Sequence, residues 1–298
     1  MSVPAAYLGI IFIWSTTPLT IQWSAQGSSF SFAVMARMLI GLTLCLLLLR
    51  LTRTRLPLTA EAWRLYGVSG VTLFASMLLT YWGALHIPSG LISVIFGLSP
   101  LVTGLLATIW LSERTLTPLR LVGVGLGLSG LWAIFGQPWP GDERAALGTL
   151  AVVGGMTIQS LGLVWIKRLD VRVSSLAITA GSLSVAVPLF VLAWLVAEGA
   201  HVGEVSLRAG AAIAYLGLFG SVVGFTLYYY LIKHLDAGRV ALIMLVTPAA
   251  ALLLGQTLNA ESIPASGWAG IALIGAGLVL YEWQALRQLP VRPGQAHR

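Results

Sequence analysis

Residues 85–113, LHIPSGLISVIFGLSPLVTGLLATIWLSE, align without a gap on residues 233–261, KHLDAGRVALIMLVTPAAALLLGQTLNAE. The matching positions are special in both copies: a small residue before glycine, a hydroxyl residue before proline, and a glutamate thirteen residues after that proline. They are Ser89-Gly90, Ser99-Pro100 and Glu113 in the first copy and Ala237-Gly238, Thr247-Pro248 and Glu261 in the second.

The match extends beyond this segment on both sides. Upstream, Tyr81-Trp82 falls on Tyr229-Tyr230. Downstream, after a shift of one residue, two glycines of each copy coincide: Gly123 with Gly270 and Gly130 with Gly277. Because several unusual residues recur at equal spacing, the sequence indicates an internal duplication.

The duplicated segments belong to a chain of apolar runs. Of the 298 residues, 57% are hydrophobic and 9% are charged, whereas a soluble domain carries about 25% charged residues. A helix that spans a bilayer needs about 20 apolar residues, and it must satisfy its own backbone hydrogen bonds. The sequence therefore predicts an all-α membrane protein with ten transmembrane helices, at 5–23, 30–50, 64–85, 89–111, 119–136, 145–166, 174–198, 209–232, 238–258 and 264–286.

Basic residues fix the predicted orientation. If the N-terminus is cytoplasmic, 14 of the 17 lysines and arginines lie on the cytoplasmic side, and the C-terminus lies there too. The opposite side then holds Arg144 and Arg208, and Arg37 lies inside the second span. This bias follows the positive-inside rule.

Each copy contains five predicted helices, and five is odd, so the second copy enters the membrane from the opposite side. We expect two inverted five-helix repeats at 1–136 and 145–286, joined by a periplasmic linker at 137–144 and followed by a cytoplasmic tail at 287–298. Inverted repeats are typical of secondary transporters, whose binding sites lie near the membrane midplane between the repeats.

Further residues connect the sequence to a known family. Ala36-Arg37-Met38 in the second span, residues 14–18 (Trp-Ser-Thr-Thr-Pro) in the first, and the proline and glutamate of each repeat resemble the drug/metabolite transporter superfamily, and most closely its EamA branch. The chain departs from that pattern in having no basic residue soon after Pro18, where Gln22 is the nearest polar group. Any role of such a basic residue therefore does not carry over.

The resemblance implies a permease in a bacterial inner membrane that exports small metabolites, such as amino acids or aromatic compounds, through a central cavity by alternating access. The alternative transport function is proton-driven drug efflux. No Asp or Glu lies near the centre of a predicted span, and proton-coupled carriers commonly place an ionisable group there. We therefore favour facilitated diffusion. Two other classes are a channel and an intramembrane enzyme. A channel would show stripes of polar residues along a pore, and an intramembrane enzyme would show a nucleophile paired with a base; the sequence indicates neither.

Aromatic, hydroxyl, amide and basic side chains within the spans are the candidates for solute binding. Those expected to line the cavity are Trp14, Thr17, Arg37, Tyr81, Ser99, Gln159, Tyr229 and Thr247. Arg37 could instead snorkel outward or cap carbonyls of a neighbouring helix, and the amide of Gln159 could bond to a neighbouring helix. Prolines disturb the helical hydrogen-bond ladder, so Pro18, Pro100 and Pro248 are candidates for kinks that either gate the cavity or improve packing.

Other partners and cofactors are not expected. The single cysteine, Cys45, and four histidines placed in loops or the tail make no metal or catalytic cluster, so the sequence predicts no cofactor. The basic residues fall between apolar runs, not along one face, so nucleic acid is not an expected partner. The expected partners are a small molecule and the lipid bilayer, and the sequence leaves monomer and homodimer open.

The inverted topology can be tested by labelling. The glutamate-containing loops at 112–118 and 259–263 occupy equivalent positions in the two copies, so inversion places them on opposite sides of the membrane. Single cysteines in each loop should react with an impermeant maleimide from opposite sides of sealed vesicles, with Cys45 replaced by alanine as the background. Labelling of both loops from the same side would contradict the inversion.

Overall fold

A computed structural model describes residues 2–110, 117–135, 144–169, 171, 173–224, 226–227, 230–231, 237–261, 265–281 and 283. Within these residues the secondary structure is helical, apart from one antiparallel bridge between Ser28 and Gly203. Tyr229, Glu113, the linker 137–143 and the tail 287–298 lie outside the described residues.

The helices follow one another with short connections. They are α1 (Val3–Ala25), α2 (Phe30–Leu51), α3 (Ala60–Gly83), α4 (Ser89–Gly97), α5 (Ser99–Trp110), α6 (Pro118–Phe135), α7 (Ala145–Leu169), α8 (Ser175–Glu198), α9 (Leu207–Tyr215), a π-helical segment (Leu216–Val223) that continues α9, α10 (Ala237–Asn259) and α11 (Ala265–Tyr281).

With α4–α5 taken as one span and α9 with its π segment as another, these helices correspond to the ten predicted spans. Six of the described stretches are long and apolar enough to cross a membrane: α1, α2, α3, α4–α5, α7 and α8. Shorter apolar helices lie at Pro118–Ala133, Leu207–Val223 and Gly267–Tyr281. The architecture is that of an all-helical, multi-pass membrane protein.

Capping residues move two helix starts away from the predicted bounds. The third predicted span begins at residue 64, but α3 begins at Ala60, because the Thr59 hydroxyl accepts a hydrogen bond from Ala62 N at 3.3 Å. Similarly, Ser206 accepts from Ala209 N at 3.1 Å, and α9 begins at Leu207, not at residue 209. A hydroxyl at the N-cap satisfies an amide that the helix itself leaves unpaired, so a helix can begin before its apolar run does.

The prolines in the interior of predicted spans have different effects. The span that contains Pro100 is interrupted at Leu98, so that Pro100 lies in the first turn of α5, where its missing N–H leaves no gap in the ladder. In contrast, α1, α8 and α10 each continue through a proline, at Pro18, Pro188 and Pro248. The equivalent prolines of the two copies, Pro100 and Pro248, thus occupy an interrupted and an uninterrupted helix.

The core lies between helices that come from both halves of the sequence. α2 and α3 pack against α7 and α8, and α1 packs against α9 and α10. α4 packs against α10. Tyr66, Tyr81 and Phe190 are among the largest fully buried side chains, and the Tyr66 ring lies directly over Gly181, where a Cβ would be 2.4 Å from Cδ1.

α6 and α11 are in extensive backbone contact. A Cβ on Gly123 would lie 2.6 Å from Gly277 O, and one on Gly130 would lie 2.5 Å from Gly270 O. These are the glycines that coincide when the two copies are aligned. Small residues allow such close approach of membrane helices, whose association depends on packing because lipid is as apolar as their side chains.

A matched pair of glycine substitutions tests this contact. Gly130→Ala should destabilise the protein by about 1–3 kcal/mol, because the added methyl would overlap the α11 backbone. Gly125→Ala is the control in the same helix, since its Cβ would meet nothing within 4 Å. Thermal unfolding of purified protein in one detergent measures both. Equal melting temperatures for the two variants would contradict the close contact.

Candidate functional site

Arg37 is buried within the bundle. It is the eighth residue of α2, about 10 Å along the axis from the helix start, and only 5% of its surface is exposed. Its Nε donates to Ser221 Oγ at 3.3 Å, and its Nη1 donates to the Tyr81 hydroxyl at 3.4 Å. The guanidinium therefore lies inside the protein and does not reach the outer surface along the lipid.

The surroundings of Arg37 do not neutralise its charge. Both hydrogen-bond partners are neutral hydroxyls, and within the described part of the chain no carboxylate lies at ion-pair distance from it. Glu198, which does contact α2, instead accepts hydrogen bonds from Ser29 and Ser31 at the helix start. An unpaired charge within a membrane costs on the order of 3 kcal/mol or more, so such residues are commonly functional.

The π-helical segment shapes the neighbourhood of Arg37. It contributes Ser221 and also brings Gly217 and Gly220 against α2. A Cβ on Gly217 would lie 2.6 Å from Ile40 Cγ2, and one on Gly220 would lie 3.1 Å from Arg37 Nη2. Short π-helical segments are frequent at functional sites. Ser221 is not distinguishable from the sequence alone, because a serine within an apolar, glycine-containing run carries no distinguishing local signal.

The structure brings some of the predicted site residues together. Tyr81 is fully buried and bonded to Arg37. Trp14 is half-buried in α1, and its Nε1 would lie 3.4 Å from a Cβ on Gly224, directly after the π segment. Arg37, Tyr81 and Ser221 are named the Arg37 cluster below.

Among the described residues, four other predicted site residues have no recorded hydrogen bond to that cluster. The Thr17 hydroxyl donates to Ile13 O in its own helix at 2.7 Å. Gln159 is exposed, and its Oε1 accepts from Ser76 on α3 at 3.2 Å, so its amide joins two helices. Ser99 is half-buried at the start of α5, and Thr247 is buried on α10.

At the end of the bundle where α1 stops and α2 starts, two loops are bridged. Ser29 N donates to Val202 O at 3.1 Å, and Glu204 N donates to Gly27 O at 3.0 Å, on either side of the Ser28–Gly203 bridge. Gly27 and Gly203 have φ of 79° and 73°, and a Cβ on Gly203 would lie 2.6 Å from Gly27 O. Residues 27–29 and 202–204 are named the loop clasp below.

A polar network closes the same end. Glu261 accepts from Gly90 N at 3.3 Å and from Asn259 Nδ2 at 2.9 Å. Asn259 also donates to Gln22 Oε1 at 2.8 Å and accepts from Trp23 Nε1 at 3.1 Å. The Glu261 carboxylate thus caps the start of α4, where the helix dipole favours an anion, and the network joins α1, α4 and α10.

The opposite end of the bundle has a surface recess between two loops. A recess of about 690 Å³ lies where α2 and α7 end and α3 and α8 begin. It is lined by Pro57, Thr59, Glu61, Arg64, Leu169, Val171 and Val173. One end of the bundle is therefore joined by hydrogen bonds between loops, while the other end carries a recess between the loops that join α2 to α3 and α7 to α8.

Comparison with known proteins gives a consistent picture. A family model described as the EamA-like transporter family matches residues 3–136 and again residues 146–283. A chain from a solved crystal structure has 21% identical residues and a TM-score of 0.65, over 97% of this chain and 99% of its own. At that level of identity the likeness shows the fold alone.

Curated relatives are named as transporters. "Uncharacterized transporter YvbV" of Bacillus subtilis (strain 168) is 24% identical over 94% of this chain and 91% of its own length. "Probable terminal-alkyne amino-acid exporter" of Streptantibioticus cattleyicolor is 26% identical over 89% of this chain and 86% of its own. "Uncharacterized inner membrane transporter YedA" of Escherichia coli (strain K12) is 26% identical over 65% of this chain and 62% of its own.

Proposed function

The chain belongs to the EamA-like transporter family, and we propose that it exports a small metabolite, such as an amino acid or another amphipathic compound, by alternating access. The observation that carries this proposal is Arg37, a buried charge with no carboxylate at ion-pair distance among the described residues, in a bundle whose loop clasp joins one end. Alternating access needs a polar site that faces one side at a time, and the buried arginine and the clasped end support this proposal.

The proposed scaffold is a pair of inverted five-helix repeats. The twofold match of one family model, to residues 3–136 and 146–283, supports the duplication. The glycine contacts support a twofold relation, since exchanging equivalent positions converts the Gly123–Gly277 contact into Gly270–Gly130. Contacts between helices show the same relation, with α1 equivalent to α7, α2 to α8, and α3 to α9 and its π segment. The contact of α3 with α7 then corresponds to that of α9 with α1, and the contact of α3 with α8 corresponds to that of the π segment with α2.

The same equivalence relates the two ends of the bundle. Under it, the loop at 26–29 corresponds to 170–174, and the loop at 199–206 corresponds to 52–59. The loops at 26–29 and 199–206 meet in the loop clasp. Their equivalents contribute Val171, Val173, Pro57 and Thr59 to the border of the recess. We propose that rocking of the halves exchanges these arrangements, so that the clasp opens when the recess closes.

The predicted orientation is consistent with the proposed export. It places the N- and C-termini and the recess on the cytoplasmic side and the loop clasp on the periplasmic side of a bacterial inner membrane. The described conformation would then load its solute from the cytoplasm, as an exporter does. The relative named as an amino-acid exporter and the relative named as an inner membrane transporter support this proposal.

Transport by the purified protein tests the function. Proteoliposomes should show saturable counterflow of amino acids or amphipathic aromatic compounds from a panel that also includes nucleosides and aromatic amines. Because no Asp or Glu lies near the centre of a predicted span, we expect equilibration and no accumulation under a pH gradient. Protein-free liposomes are the control. Movement of no panel member above that control contradicts the exporter, and accumulation driven by the pH gradient alone contradicts facilitated diffusion.

A reversible cross-link tests alternating access. Ser29→Cys with Val202→Cys places two thiols on adjacent positions of the antiparallel bridge, whose Cα atoms are about 5.5 Å apart, within the range of a disulfide. Oxidation should hold the loop clasp closed and reduce counterflow to the background, and reduction should restore it. Each single-cysteine variant under the same oxidant is the control, because the native Cys45 is buried. Full transport by completely cross-linked protein would show that the clasp does not open.

A further inference from the structure

The acidic residues of this chain cannot supply a counter-ion to Arg37 from within the membrane. All ten lie at the ends of the predicted spans or between them. Glu198, the last residue of α8, accepts from Ser29 and Ser31 at the start of α2, about 9–12 Å along the helix from Arg37. The Arg37 charge therefore lies in the bundle without a built-in anion among the described residues.

The Arg37 cluster consists of hydrogen-bond donors. A guanidinium has five N–H groups and no acceptor, and two of its nitrogens are engaged by Ser221 and Tyr81. Each of these hydroxyls accepts from Arg37 and keeps its own hydrogen to donate. Within the described part of the chain neither hydroxyl has a recorded acceptor for that hydrogen. A site that offers donors and positive charge is complementary to an anionic oxygen.

We propose that Arg37, Tyr81 and Ser221 bind the carboxylate of the transported solute. This inference rests on the proposed function and names its substrate class. A planar guanidinium matches a carboxylate with two parallel hydrogen bonds. A single arginine suits a monoanion, because a phosphate dianion would call for further basic residues deep in the spans, and Arg37 is the one basic residue away from the ends of the predicted spans. Trp14, beside the end of the π segment, provides an apolar surface for the remainder of the solute.

The cluster spans both halves of the sequence. Arg37 and Tyr81 belong to the first half, whereas Ser221 belongs to the π segment of the second. Because residue 220 is a glycine, no side chain at that position covers Arg37 Nη2. A carboxylate that bonds to all three groups would therefore contact both halves at once, and its binding would respond to their relative position.

Matched ligands test the carboxylate site by binding. The probes are 3-phenylpropionate, L-phenylalanine and L-leucine, each against its carboxamide, and ligand-dependent thermal stabilisation in detergent gives the apparent Kd. For at least one skeleton the carboxylate should bind about tenfold or more tightly than the amide, as expected for a charge-assisted hydrogen-bond pair. This ratio does not depend on how much of a variant folds.

The variants assign the preference to the cluster. Arg37→Gln should reduce the carboxylate-to-amide ratio to near one, and Arg37→Lys, Tyr81→Phe and Ser221→Ala should give intermediate ratios, because lysine lacks the planar fork and the others each remove one donor. Arg50→Gln, at an exposed position of the same helix, should keep the wild-type ratio. The proposal is overturned if the wild-type protein shows a ratio near one for every pair, or if Arg37→Gln keeps the wild-type preference. Stabilisation by chloride equal to that by the carboxylates also overturns it.

Counterflow with the same pairs separates this inference from the proposed function. Equal transport of acids and amides would keep the exporter and overturn the carboxylate site. An Arg37-dependent preference in binding without any counterflow would keep the site and contradict the exporter. Absence of both binding and counterflow for every probe would overturn both.

Discussion

The constraint on which this structure depends is that lipid offers no hydrogen bonds to the backbone. Each span must satisfy its own amides and carbonyls, so the chain is helical across the membrane. Helices that share an apolar solvent then gain their association from close packing, and the glycines of α6 and α11 permit backbone contact there. Polar contacts concentrate where the helices end, in the loop clasp and the Glu261 network.

Much of the architecture follows from the sequence, and the reasons are physical. Length and apolar composition identify the spans, because a bilayer has a fixed thickness. Arg37 is recognisable because a charge within a span is rare, and the structure buries it beside Tyr81 and Ser221. The start of α3 at Ala60 differs from the apolar run because Thr59 caps it. The interruption at Leu98 coincides with a proline, but Pro248 leaves α10 continuous, so proline alone does not decide the outcome.

The part of the candidate site that sequence reasoning missed depends on tertiary contacts. Ser221 is one serine among many in the spans, and only its distance from Arg37 distinguishes it. Gln22 was noted as a polar residue after Pro18, yet its role became clear only with its bonds to Asn259 and to the carbonyls of Ala84 and Ile87. Gln159 carries a polar group that suits a cavity, but Ser76 on α3 is its partner.

The Arg37 cluster has a consequence for how the two copies have diverged. Tyr81 aligns on Tyr229, and the same offset places Leu73 opposite Ser221, so the serine has no counterpart in the first copy. The glycines at the contact between α6 and α11, in contrast, occur at equivalent positions in both copies. The copies thus keep the residues through which α6 and α11 touch, whereas they differ at position 221. Under the proposed role of the Arg37 cluster, this difference gives the two copies unequal shares in recognising the solute.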